Sequence, residues 1–201
     1  MRRPSTFHAA IAGLALAGAA LTGCGHSAPT RIFTLAAAGP SNAAAATYAG
    51  PPFRVDAVRM PAALDRLEVV QQSTAEELTV HDLAHWGAPP GDLARLALTQ
   101  DLVARLPAGA VIYPDAPKPP GASSLVVDVL AFQRSTQGYV LDASWTLTPS
   151  PAPAGQGATP LRRELRLTDP GGAGVDDAGT EAAALSRLLG QLADAIAAGL
   201  A

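Results

Sequence analysis

The residues able to do chemistry here are one cysteine, four histidines, an aspartate pair and a serine pair. Cys24 is the only cysteine in 201 residues, so it has no partner for an intramolecular disulfide. It follows Leu21-Thr22-Gly23, the small residues a signal peptidase accepts. A thiolate at that position is alkylated by a diacylglyceryl donor more readily than a serine hydroxyl. Upstream stand Arg2, Arg3 and the apolar run Ala9 to Leu21. That run falls short of the roughly 20 residues of a membrane span and suits a signal-peptide core. The pattern predicts cleavage before Cys24 and lipid attached to it. The alternative, an ordinary secretory signal with a chance cysteine, leaves a bare thiol in an oxidising compartment.

The remaining candidates do not assemble into a catalytic set. His8 lies in the leader and His26 just after the cysteine. His81 and His85 lack the glutamate of a metalloprotease helix. On an extended strand they stand roughly 13 Å apart, too far to share a metal ion. Ser123-Ser124 has no glycine frame of the nucleophile-elbow type. Gly171-Gly172-Ala173-Gly174 lacks the lysine of a phosphate loop and reads as a flexible link. Asp176-Asp177 reads as a solvated lead-in to a helix, since paired carboxylates need a cleft and perturbed pKa values to work as acid and base. The expectation is no enzyme, no metal and no cofactor.

The elements around these residues follow from periodicity. Short apolar stretches at Arg31 to Leu35, Leu67 to Gln72, Leu78 to Trp86 and Ala110 to Tyr113 read as strands. Phe53 to Arg59 alternates, with Phe53, Val55 and Ala57 on one face. Ala62 to Arg66 reads as one helical turn. Leu125 to Phe132 is apolar on both faces except at Asp128, which suits a central strand. Tyr139 to Leu147 alternates Tyr139, Leu141, Ala143, Trp145 and Leu147 against Asp142, Ser144 and Thr146, and Ser135 to Gly138 makes the pair a hairpin. Leu161 to Leu167, rich in arginine, reads as an edge strand. Pro149 to Pro160 is a loop.

Two helices are expected. The first is capped by Asp92 and buries Leu93, Leu96, Val103 and Leu106. The second is capped by Thr180 and buries Leu185, Leu188, Leu189, Leu192 and Ile196. The expected fold is therefore α+β, a mostly antiparallel or mixed sheet with two main helices packed on one face. The organisation is a leader over 1–23, a lipid-anchored tether over 24–30 and one domain over 31–201. A formal charge of −3 becomes more negative when the leader takes Arg2 and Arg3 away. That excludes a basic nucleic-acid surface and a polybasic membrane patch.

The stretch FRVDAVRMPAALDRLEVVQQ, Phe53 to Gln72, resembles the strand–Pro–Leu-Asp-Arg–strand signature of the PqiC-like ABC-type transport auxiliary lipoproteins. Pro61, Leu64, Asp65, Arg66, Val69 and Val70 carry the match. His85-Trp86-Gly87-Ala88-Pro89 is similar to the family's short tryptophan segment before a helix, with His85 where an arginine is common. The helix and the two strands that follow come in matching order.

The resemblance implies a lipoprotein on the periplasmic face of the outer membrane. Its partners there would be an MCE-domain protein and an inner-membrane component, with which it would move phospholipids without itself catalysing a step. For Leu64, Asp65 and Arg66 it implies either partner contact or the fixing of a local turn. For Trp86 packing and lipid contact stand as alternatives. Two other functions are weighed. One is an outer-membrane assembly lipoprotein that escorts lipopolysaccharide or secretion machinery; the other is a lipid-modified hydrolase or solute-binding protein. Pairing of the Leu161 to Leu167 edge with another subunit would make a homo-oligomer, against the discouragement of Arg162, Arg163 and Arg166.

Overall fold

The computed structural model describes residues 28–39, 47–74, 76–150, 159–171 and 177–201. Cys24, the leader, His26 and most of the 149–160 loop lie outside the described residues. The elements run β1 (Arg31–Phe33), β2 (Phe53–Arg59), β3 (Glu68–Gln72), β4 (Leu78–Trp86), α1 (Pro90–Val103), β5 (Val111–Ile112), β6 (Ser123–Ser135), β7 (Gly138–Thr148), β8 (Leu161–Asp169) and α2 (Ala178–Leu200). The fold is α+β with mixed sheets.

The strands divide between two sheets, ordered β1-β4-β3 and β5-β2-β6-β7-β8. In the larger sheet β2 runs parallel to both β5 and β6, whereas β6, β7 and β8 form an antiparallel meander. β6 is central and β8 is an edge, as periodicity and arginine content predict. Leu125, Val127, Val129 and Phe132 of β6 meet Tyr139, Leu141, Ala143 and Trp145 of β7 in the core, all buried. Phe132 and Tyr139 stack with ring centroids 5.6 Å apart. A bulge between Val55 and Ala57 of β2 breaks the expected alternation, so Val58, not Ala57, continues the buried row after Val55.

Both helices cover one face of this sheet, α1 over β2 and α2 over β7 and β8. The stripe expected on α2 is the one buried: Leu185, Leu188, Leu189, Leu192 and Ile196. Of the stripe expected on α1, Leu106 is buried and Leu93 packs against the core. Leu96 and Val103 are instead exposed, and the buried face is Ala94, Ala97, Leu98, Asp101 and Leu102. The starts of both helices also differ from expectation. α1 begins at Pro90 with Pro89 as N-cap, leaving Asp92 inside the first turn, because proline's fixed φ and missing N–H suit the first helical position. α2 begins at Ala178 behind Asp177, leaving Thr180 inside it.

The β6–β7 hairpin turns through Thr136-Gln137, and neither adopts positive φ. The left-handed residue is Gly138 instead, with φ +123. A Cβ there would stand 2.1 Å from the Asp169 carbonyl oxygen and 2.8 Å from Pro170 Cα. Gly138→Ala should therefore cost at least the roughly 1–3 kcal/mol of backbone strain, read as a lower urea midpoint. An unchanged midpoint would show that β8 gives way freely.

Candidate docking surface

The turn between β2 and β3 closes on one acceptor. The Pro61 carbonyl receives the N–H groups of Leu64 at 2.8 Å and Asp65 at 3.0 Å, and the Leu64 carbonyl receives that of Arg66. Leu64 points into the core, 5% exposed, while Asp65 and Arg66 stay in water. Arg66 Nε donates to Glu68 Oε2 at 2.9 Å. That bond, with a backbone N–H, holds the Glu68 carboxyl below its ordinary pKa. Trp86 donates its backbone N–H to the Leu67 carbonyl at 2.7 Å, and its side chain is buried. The structure thus brings the five residues singled out by sequence to one end of the three-stranded sheet. Pro61, Asp65 and Arg66 are accessible there, and Leu64 and Trp86 are held inside.

The register of that sheet shows what lies beside them. Ile32 pairs with His85, which pairs with Glu68, and Val70 pairs with Val80. Paired residues share a face and alternate residues along a strand return to it. Ile32, His85 and Glu68 therefore share a face at this end of the sheet; beyond the register shift between Glu68 and Val69, Val80 and Leu78 are exposed while Val70 is buried. Ile32 is 68% exposed, with Leu78 and Val80 also open to solvent. Leu67 and Leu83, both exposed, border the same sheet. The inner face is tied to the larger sheet where Gln71 Nε2 donates to Tyr139 Oη at 3.3 Å.

β1 reaches this position because its ends are fastened. Arg31 Nη1 pairs with Asp177 Oδ1 at 2.8 Å and stacks over Phe33, and Ala36 N–H donates to Ser186 Oγ at 3.2 Å. Burial raises the pKa of Asp177, but the Arg31 hydrogen bond and charge, with backbone bonds from Gly179 and Thr180, together outweigh it and the carboxyl sits below its ordinary value.

Two polar clusters carried no sequence signal strong enough to find them. Asp101 and Arg105 are buried between the helices, where Arg105 bonds Asp101 Oδ1 at 3.0 Å and Asp194 Oδ1 at 2.6 Å. Their spacing of four along a helix was the available clue. On the far face of the larger sheet, Asp56 binds Arg54 at 2.6 Å and Lys118 at 3.2 Å. Burial raises the Asp56 pKa, but hydrogen bonds from Ser124, Arg54 and Lys118 outweigh it and hold the carboxyl below its ordinary value. His81 and His85 both lie on β4, and among the described residues no three of His, Cys, Asp and Glu gather to hold a metal ion.

Residues 33–197 match the family described as the ABC-type transport auxiliary lipoprotein component. The chain belongs to that family. The resemblance carried by Pro61, Leu64, Asp65 and Arg66 thus holds for nearly the whole domain. One similar solved structure is the crystal structure of an uncharacterized protein. It is 18% identical with a TM-score of 0.63, and the match covers 87% of this chain and 100% of that one. Another is a protein from Xanthomonas campestris of the DUF330 family. It is 17% identical with a TM-score of 0.57, and the match covers 82% of this chain and 91% of that one. At such identities the likeness concerns the fold. Comparison with curated proteins gives no match. A transport auxiliary lipoprotein is associated with a membrane, and among the described residues no helix is long and apolar enough to cross one.

Proposed function

We propose that this transport auxiliary lipoprotein is acylated on Cys24 and sits on the periplasmic face of the outer membrane. There its 31–201 domain docks an MCE-domain protein of a system that moves phospholipids between membranes. Residues 1–23 are the leader and 24–30 the tether. The observation that supports this reading is the outward face of the β1-β4-β3 sheet. It sets exposed Ile32 near the Asp65-Arg66 turn, with exposed Val80 and Leu78 further along the same sheet, in a chain whose family serves transport without being known for catalysis. An apolar centre with a charged rim is the usual composition of a protein–protein contact. Leu64 and Trp86 hold the turn and the sheet end in place; Pro61, Asp65 and Arg66 meet the partner.

A photo-crosslinking residue at position 32 or 80 of the anchored protein should capture an MCE-domain protein. Arg66→Ala should weaken that capture about tenfold, the loss of one hydrogen bond from a charged group. Capture of barrel-assembly proteins alone would transfer the chain to the assembly-lipoprotein reading. Capture unaffected by Arg66→Ala would confine that residue to the local turn.

A further inference from the structure

At the end of the larger sheet opposite the β6–β7 hairpin lie two cavities that share a wall. The first, about 460 Å³, lies on the core side, lined by Tyr48, Leu147, Pro149, Leu161 and Leu200 among others. Its volume is within the range of small-molecule sites, roughly 300–1,000 Å³. The second, about 330 Å³, lies on the far face, lined by Lys118, Ser124, Thr148 and Pro149 among others. Pro149 belongs to both. Ser123 and Ser124 of β6, and Leu147 and Thr148 of β7, each send one residue to either side. The two cavities thus meet at the rim of the sheet. The first is an apolar trough, and the second, lined largely by Pro119, Pro120 and Ala122, carries the Lys118 ammonium.

The Lys118 end carries unbalanced charge. Lys118 is the only lysine in the sequence. Lys118 and Arg54 are each about one quarter exposed, and they share the single carboxylate of Asp56. Lys118 also donates to Ser124 Oγ, and Arg54 to the Ala116 carbonyl. Two cations with one counter-charge leave the Arg54–Asp56–Lys118 cluster one unit positive, and Lys118 brings that charge to the wall of the second cavity. A neutral apolar ligand would ignore that charge, and a small free anion would leave the trough unfilled.

We infer that this rim binds one single-chain anionic amphiphile. Its carboxylate or phosphate lies on Lys118, and its alkyl chain lies in the trough between Tyr48, Leu147, Leu161 and Leu200. The inference goes beyond partner docking and does not depend on it, since the rim and the β1-β4-β3 face are separate surfaces.

The test uses the full chain carrying Cys24→Ala, which bars acylation and leaves every described residue unchanged. Dodecanoate and dodecyl phosphate are titrated separately, with dodecyl maltoside as the uncharged arm and acetate and inorganic phosphate as the chainless arms. Calorimetry gives affinity, and protection of Lys118 from amine acylation reports position. Both charged dodecyl probes should bind at one site and protect Lys118, each at least about tenfold more tightly than the maltoside or the chainless ions. Lys118→Ala should weaken them about tenfold, the worth of one hydrogen bond to a charged group, with dodecyl maltoside unaffected. Leu200→Asp, at the last turn of α2, should weaken all dodecyl probes. Tighter binding of one head group identifies the source as fatty acid or phosphate ester. Equal binding of the maltoside, equal binding of the chainless ions, or binding indifferent to Lys118→Ala overturns the proposal. So does absence of saturable binding by a chain that melts cooperatively.

Discussion

Replacing Arg105 by methionine should lower the unfolding free energy by about 3–5 kcal/mol. Asp101 is fully buried, and its charge is met by Arg105 at 3.0 Å and by the Gly39 N–H at 3.0 Å. Its second oxygen has no hydrogen-bond partner among the described residues. Without the guanidinium a carboxylate would stay desolvated beside one amide, and that uncompensated charge is what costs. Asp194, the other acceptor, is 36% exposed and falls back on water. The pair itself is a different matter, because removing both ions removes the desolvation they share. Asp101→Leu combined with Arg105→Met should therefore recover most of the loss. Urea unfolding of both single variants and the double variant gives the coupling directly. A single Arg105 variant within about 1 kcal/mol of the parent would mean that α1 and α2 are held by apolar packing alone. The same network fastens Gly39, so the segment after β1 should loosen with it.

That cluster also marks the boundary between what residue order encodes and what it does not. On β7, Leu141, Ala143 and Trp145 alternate with Asp142, Ser144 and Thr146, so a period of two is enough to mark the first set as core. On α2 the leucines repeat at helical spacing and only one face can bury them. On α1, leucines stand on both sides. Leu96 and Leu98 are equally apolar, yet Leu98 is buried and Leu96 is 46% exposed. The deciding neighbours are Ala94 and Ala97, whose small side chains let the helix approach β2 closely. Gly91 comes nearer still: a Cβ there would meet the Val58 carbonyl oxygen at 2.6 Å. A pattern based on large apolar residues gives small ones no weight, so it places Leu96 and Val103 on the wrong face.

The candidate surface was legible to a different degree. The Pro61–Arg66 motif names a turn, and the structure builds one on the Pro61 carbonyl. The motif says nothing of Ile32, which joins the same face only through β1 pairing in parallel with β4, some fifty residues later in the chain. The division into two sheets is equally non-local. β3 and β4 pair with each other, and β4 with β1, rather than with β6, a choice made by long-range contacts that periodicity along one strand does not encode. Lys118 and Arg54 are likewise joined only through the carboxylate of Asp56, which protrudes where β2 bulges.

Replacing Cys24 by alanine should abolish palmitate incorporation and release or mislocalise the protein. The magnitude follows from what else could hold it. A formal charge of −3 offers no general attraction to anionic lipid. Among the described residues no helix can span a bilayer. One acyl chain binds a membrane only marginally, with an association constant of about 10⁴ M⁻¹, whereas two or more give stable attachment. Loss of the acylated cysteine should therefore act as a switch between retained and released. It should also leave the domain intact, since β1 begins at Arg31 and its fastening to Asp177 and Ser186 lies beyond the tether. The Cys24→Ala and parent proteins should melt at the same temperature while differing in location. Unchanged palmitate labelling would sink the lipid-anchor reading. Lost labelling with unchanged membrane retention would show a second attachment, for which the first place to look is the apolar face carrying Ile32 and Val80.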